Sequence, residues 1–307
     1  MIAFVFPGQG AQAVGMGKAL ADRFDICAQT FAEADAALNE PLSELIFNGP
    51  ADRLTLTENT QPAILAMSVA AWRLLDQRGA KPHFVAGHSL GEYSAHVAAG
   101  TLSFADAVRL VRNRGRYMQE AVPVGTGAMA AILGLDEAGV NQACAEASQG
   151  EVVSAANLNG AGQIVIAGAS GAVARASERA KALGARRAIP LQVSAPFHCA
   201  LMKPAEVRLT PELRAVASVD PRVPVVANVD AELKRTAAAS IDALIAQVAS
   251  PVRWEDVVRR LASEGVTRYV EVGPGKALSG MIKRIASGAT IHNVEGPDDL
   301  SAIEDLF

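Results

Sequence analysis

The chain has 307 residues, 50% hydrophobic and 20% charged, long enough to bury a substantial core as one large domain or two smaller ones. Its formal net charge of -4 gives no global pull toward nucleic acid or an anionic membrane, so any acidic partner must meet a local basic patch. Three widely spaced cysteines, Cys27, Cys144 and Cys199, match neither a disulfide framework nor a zinc site and are expected as reduced thiols.

The apolar start, Met1 to Phe6, lacks a basic region and stops at Pro7-Gly8. It reads as a first strand over Ile2–Phe6, not as a secretory signal, and the expected compartment is the cytoplasm. Apolar periodicity then predicts one long helix over Gly17–Leu38, a second over Pro62–Arg78, a short strand at Phe84–Ala86, and helices at Phe104–Ala121 and Trp254–Gly265. The apolar run Ala63–Leu75 is too short to span a bilayer and contains Arg73, so a buried core helix is the better reading. Tyr269–Val272 supplies a late strand. Strands alternating with helices imply an α/β fold with a parallel sheet covered on both faces.

The middle of the chain has a different rhythm. Strand Ala128–Leu135, helix Glu137–Ser148, strands Val152–Asn157 and Gln163–Ala167, helix Gly171–Leu183 and strand Arg187–Val193 follow in the order β-α-β-β-α-β of the split ferredoxin-like unit. An insert of about seventy residues can carry its own core. The expected organisation is therefore a hydrolase-like parallel-sheet body from 1–123 and 195–307, with a ferredoxin-like small subdomain over 124–194 and a cleft between them.

Gly87-His88-Ser89-Leu90-Gly91 follows an apolar run and precedes the helix-competent segment Glu92 to Ala99, the strand-turn-helix setting of a nucleophile elbow. A serine on so sharp a turn projects its hydroxyl only if glycines let the neighbouring chain pass closely. Serine also needs a base within hydrogen-bond reach. Of the five histidines, His83 precedes the strand, His96 lies in the following helix, His292 sits in a late apolar stretch, and His88 should leave the turn in another direction. His198 stands in a Pro-bearing loop leaving the insert, where it is either a base reaching over the cleft or a plain loop residue. No third acid for a triad is evident.

Pro7-Gly8-Gln9-Gly10 after the first strand is a tight turn; the dinucleotide fingerprint that it mimics lacks the second strand with an acidic end. Its better role is to aim the Gln9 amide at Ser89 as an oxyanion-hole donor, with Leu90 giving the other. On the helix Phe104–Ala121, Val108, Val111, Gly115 and Met118 share one face, Arg109, Arg112 and Arg116 lie opposite, and Arg114 falls at the edge of the apolar face. An arginine carried inward needs an anion, which is either an internal carboxylate or that of a substrate. Asn157, Asn159 and Gln163 are turn residues or line the cleft. Glu271-Val272-Gly273-Pro274-Gly275 reads as a structural strand end and turn. No metal-ligand spacing stands out.

Taken together and in order, Phe6-Pro7-Gly8-Gln9-Gly10, Thr60-Gln61-Pro62-Ala63, the elbow extended through Glu92-Tyr93-Ser94-Ala95, Gly127-Ala128-Met129-Ala130-Ala131, His198-Cys199-Ala200-Leu201-Met202 and Glu271 to Lys276 resemble the bacterial malonyl-CoA:acyl carrier protein transacylases of fatty acid synthesis. The likeness spans essentially the whole chain. It implies Ser89 as nucleophile, His198 as base and later acid, Gln9 and Leu90 as oxyanion-hole amides, and Arg114 as the clamp on the malonate carboxylate, with Met118 and Asn159 further lining the substrate site. It also implies that the main-chain carbonyl of Gln247 orients the histidine, which removes the need for an acid. Malonyl-CoA and a holo acyl carrier protein bearing phosphopantetheine are the implied substrates, with no bound cofactor or metal and no nucleic-acid or membrane partner. Lys181, Arg186 and Arg187, with Lys276 and Lys283, are candidates for docking the acidic carrier. Gly160-Ala161 and His96 depart from the family pattern. Competing readings are a serine thioesterase or esterase, the transacylase component of malonate decarboxylase, and an inactive carrier-binding module.

Overall fold

The computed structural model describes residues 1–306. Ten strands are interspersed with helices, β4 and β5 and likewise β7 and β8 following one another directly: β1 (Ile2–Phe6), β2 (Phe84–Gly87), β3 (Gly127–Leu133), β4 (Val153–Leu158), β5 (Gln163–Ala169), β6 (Arg187–Pro190), β7 (Val225–Val226), β8 (Leu233–Lys234), β9 (Arg268–Val272) and β10 (Thr290–Val294). They form two sheets.

The larger sheet has the order β10-β9-β1-β2-β7-β8. Its strands from β10 to β7 pair in parallel, and only β8 returns antiparallel beside β7. Parallel neighbours require long crossovers, and the helices between the strands supply them. Side chains alternate across the pleat: Phe4 and Phe6 join a core under the helix Thr57–Gln77, while Ala3 and Val5 join a second core with Trp254, Val258 and Leu278 on the opposite face. The central strands are thus buried on both sides, which is why they read as unbroken apolar runs.

The smaller sheet is wholly antiparallel, in the order β4-β5-β3-β6. The helices Glu137–Ala147 and Ser170–Ala182 pack on it around a separate core that includes Ile132, Val140, Ile166 and Val173. This is the β-α-β-β-α-β arrangement expected from the sequence.

Three local expectations are corrected. The single helix expected over Gly17–Leu38 is two, Lys18–Arg23 and Asp25–Leu38, because Phe24 takes an extended conformation (φ -133°, ψ 118°) between them. The helix expected from Pro62 begins earlier, at Thr57; its first turn carries Thr57, Asn59, Thr60 and Gln61, which are buried although polar, so apolar periodicity carries no trace of it. Strand β6 ends at Pro190 and not at Val193, and Val193 is exposed.

Candidate functional site

The site lies where several parallel strands end, the usual location for ligands in open α/β sheets. From the end of β1 the chain turns through Gln9; from the adjoining end of β2 it turns through Ser89; Asn228 follows β7. Ser89 adopts φ 52°, in the left-handed region, the strained geometry that projects a nucleophile. The elbow closes because its glycines have no side chains: a Cβ on Gly91 would stand 2.0 Å from the Phe6 carbonyl oxygen, and one on Gly87 would stand 2.0 Å from Gly91.

His198 also takes a left-handed conformation (φ 59°) and is buried. Its Nδ1 lies 3.0 Å from the main-chain carbonyl oxygen of Gln247, and its Nε2 lies 2.6 Å from Ser89 Oγ. A carbonyl only accepts, so Nδ1 must carry the proton, which leaves Nε2 as the acceptor for the serine hydroxyl. Burial, reinforced by the nearby Arg114 charge, pushes the His198 pKa down to about 3, so the ring is neutral and able to accept at pH 7.

Arg114 lies on the helix Phe104–Glu120 and is 2% exposed. Its Nη1 donates to Gln61 Oε1 (2.8 Å), and its Nη2 donates to Gln247 Oε1 (2.8 Å) and to Ser89 Oγ (3.1 Å). The ring of Tyr93 stands 5.5 Å away. Among the described residues no carboxylate pairs with this guanidinium. Burial lowers its pKa, yet an arginine does not give up its proton in a protein, so the site holds a desolvated cation beside the serine with room in its charge balance for one anion. Met118, one turn further on, is 1% exposed and its sulfur accepts from Gln61 Nε2 at 3.8 Å.

Neither the amide of Gln9 nor that of Leu90 donates to a backbone acceptor among the described residues. The Gln9 side chain donates to Thr57 Oγ1 (3.2 Å), which is also 2.9 Å from Ser194 Oγ. Leu90 directly precedes the helix Gly91–Ala98. His88 turns away from the serine, its Nε2 2.9 Å from Asn159 Oδ1 and its ring 5.7 Å from that of Trp254. Asn159 is therefore committed at Oδ1 to His88 while its own amide closes the turn to Gln163. Lys181, Arg186 and Arg187 stand exposed on the smaller sheet's side, with Lys276 and Lys283 exposed on the larger one. Glu271 accepts from the amides of Leu278 and Ser279 and so caps a helix.

The residues that sequence reasoning left without a role are Asn228, Glu92 and Gln61. Asn228 Oδ1 accepts from the Ser89 amide (2.7 Å), and its Nδ2 donates to the Gly87 carbonyl (2.7 Å). Glu92 is fully buried beneath the elbow, and burial pushes its carboxyl up to about 7. Two of the three lie in segments on which the resemblance rests, Gln61 in Thr60-Gln61-Pro62-Ala63 and Glu92 in the extended elbow, whereas Asn228 carried no signal. Among the described residues no group of three or more His, Cys, Asp or Glu side chains is placed to hold a metal, and no helix is long and apolar enough to cross a membrane.

The acyl transferase domain family matches residues 3–292. The chain belongs to that family. A malonyl CoA-acyl carrier protein transacylase of Salmonella typhimurium is 54% identical over 301 residues, covering 98% of this chain and 97% of the relative. Among solved structures, an acyl carrier protein S-malonyltransferase from Vibrio cholerae superimposes with a TM-score of 0.97 at 49% identity, covering 98% of this chain and 99% of its own. A malonyl-transacylase in complex with a type II PKS acyl-carrier protein matches with a TM-score of 0.97 at 48% identity over 99% of both chains. The α/β fold of this acyltransferase, with its separate antiparallel sheet, is that of these malonyltransferases.

Proposed function

We propose that this acyltransferase moves malonyl from coenzyme A to the phosphopantetheine thiol of a holo acyl carrier protein, through an ester on Ser89, and so serves fatty acid biosynthesis. The observation that carries the reading is the buried Arg114 guanidinium, 3.1 Å from Ser89 Oγ and, among the described residues, without a carboxylate partner. A malonyl group brings both things this site lacks, a thioester carbonyl for the serine and a carboxylate for the arginine.

In this reading Ser89 Oγ attacks the thioester carbon while His198 Nε2 takes its proton, and the negative oxygen is held by the Gln9 and Leu90 amides. The C–S bond breaks, and the His198 proton leaves with coenzyme A as its thiol. The carrier thiol then gives its proton to His198, its sulfur attacks the ester, and Ser89 recovers its proton as the new thioester forms. Gln247 holds His198 in the accepting tautomer, the place that an acid fills in a triad. Arg114, Met118 and Asn159 form the acyl pocket, and the small sheet with residues 124–194 serves as a subdomain over the cleft. These steps use no bound cofactor. An acetyl group leaves the Arg114 cation unpaired, a penalty of about 1–3 kcal/mol or more that favours malonyl.

Intact-protein mass after brief exposure to malonyl-CoA tests the scheme, run beside acetyl-CoA and with Ser89→Ala and Arg114→Ala. The expected result is a malonyl adduct on the wild type only, discharged on addition of holo carrier. An adduct that goes only to water assigns a hydrolase instead.

A further inference from the structure

The buried polar side chains beneath the elbow converge on one atom. Glu92 Oε2 accepts from Gln247 Nε2 (2.8 Å) and from the Asn228 main-chain amide (3.0 Å). The second Nε2 proton of Gln247 goes to the Ser89 main-chain carbonyl (2.9 Å). With both amide protons taken, Gln247 can present only its oxygen to Arg114, and Oε1 does accept from Arg114 Nη2 at 2.8 Å. The same residue turns its main-chain carbonyl to His198. Asn228, held at its backbone by Glu92, in turn fixes the Ser89 amide and the Gly87 carbonyl.

We infer that Glu92 is a positioning residue for acyl-group selection: an acceptor oxygen at Oε2 locks the Gln247 amide, and through it the Arg114 guanidinium, in the orientation that receives a substrate carboxylate. This rests on the malonyl reading of the site. Glu92 touches neither substrate nor the reacting atoms, and its role is to hold the end of Gln247 that faces away from them. Its other oxygen, Oε1, has no hydrogen-bond partner among the described residues and lies 4.0 Å from His96 Nε2. A proton carried there leaves Oε2 an acceptor, so the lock needs the oxygen and not the charge. Without that oxygen one Gln247 proton is orphaned in the core and the amide has no reason to keep its rotamer.

The separation of effects tests the proposal. Glu92→Met and Gln247→Met should each raise KM for malonyl-CoA by about tenfold or more and lower the malonyl-over-acetyl preference by a similar factor, the size of one lost buried hydrogen bond to a charge. In malonyl-over-acetyl preference the double variant should be no worse than Gln247→Met alone, since Glu92 reaches Arg114 through Gln247. Glu92→Gln keeps an acceptor at Oε2, can turn its amide nitrogen toward His96, and should stay within about threefold of wild type. A merely structural glutamate predicts instead equal losses on malonyl and acetyl substrates. Unchanged preference in Glu92→Met, multiplied losses of that preference in the double variant, or a large loss in Glu92→Gln each overturns the inference. If Glu92→Met does not fold, Gln247→Met carries the test, and an unchanged preference there overturns it. Wild-type transfer measured alongside separates the two readings: if wild type does not transfer malonyl, the function proposal fails, and if it does while the variants keep their preference, only this inference fails.

Discussion

His96 is a fully buried imidazole with no hydrogen bond at either ring nitrogen among the described residues. Burial alone pushes its pKa from 6.5 down to about 3, so the folded protein keeps the ring neutral where the unfolded chain would protonate it. Between pH 6.5 and 3 the unfolded state therefore binds the extra proton, and this residue's contribution makes the fold less stable as pH falls. His96→Leu removes both the orphaned polar atoms and the titration at similar volume. It should stabilise the protein by about 1–3 kcal/mol at neutral pH, the usual cost of unsatisfied buried polar groups. The gain should widen by up to about 1.4 kcal/mol for each pH unit below the ordinary histidine value. Urea unfolding of both proteins at neutral pH and at pH 5 checks this; a gap that does not grow on acidification would count against it.

At the scale of elements, the position of Arg114 depends on how closely two helices meet. Ser103 caps the helix Phe104–Glu120, its Oγ accepting from the Asp106 amide, and Gly115 lets that helix lie against the first turn of Thr57–Gln77. A Cβ on Gly115 would stand 2.6 Å from the Thr57 carbonyl oxygen and 2.8 Å from Glu58 Cα. Both are backbone atoms, so Gly115→Ala must push the helices apart. The expected cost is about 1–3 kcal/mol of stability by thermal or chemical unfolding. Because Arg114 is the preceding residue and Gln61 lies in the opposing helix, acylation by malonyl-CoA should fall more than acylation by acetyl-CoA. Equal stability of variant and wild type would show that the contact yields freely.

The same helix shows what the sequence makes legible and what it hides. The elbow around Ser89 is readable because strand, glycines and helix are neighbours along the chain, and periodicity places Arg114 at the edge of its helix's apolar face. The partners of these residues are not readable in that way. Gln247 and Ser89 are separated by 158 positions, and Asn228 follows a strand of only two residues, Val225–Val226. The buried polar turn Thr57–Gln61 lacks any apolar signature, and the break at Phe24 lies in a run whose composition remains helical throughout. Local pattern thus located the elbow serine, while the hydrogen-bond network that holds it exists only once the sheet has assembled.

For the molecule as a whole, the Ser89–His198 contact joins the ends of the larger sheet to the loop that leaves the smaller one after β6. Arg187 opens β6, the strand from which the chain runs on to His198, and Arg186 directly precedes it. Both side chains are exposed, and among the described residues neither forms a salt bridge, whereas Lys181 is paired with Glu178 at 2.7 Å. Ile189 and Val193 are exposed on the same stretch. Two free arginines beside exposed apolar groups are suited to a partner whose surface is acidic, and such charges act chiefly on encounter rate and orientation. Reversing Arg186 and Arg187 to Glu together should therefore slow discharge of the malonyl-enzyme onto holo acyl carrier protein by about tenfold at low ionic strength, with the deficit shrinking as salt is raised. Formation of the malonyl-enzyme from malonyl-CoA should change by no more than about twofold, because no atom of the Ser89–His198–Arg114 cluster bonds to either arginine. Single-turnover measurement of the two half-reactions separates these effects, and an equal loss in both would place the arginines in the path of coenzyme A and remove the case for a carrier-specific patch.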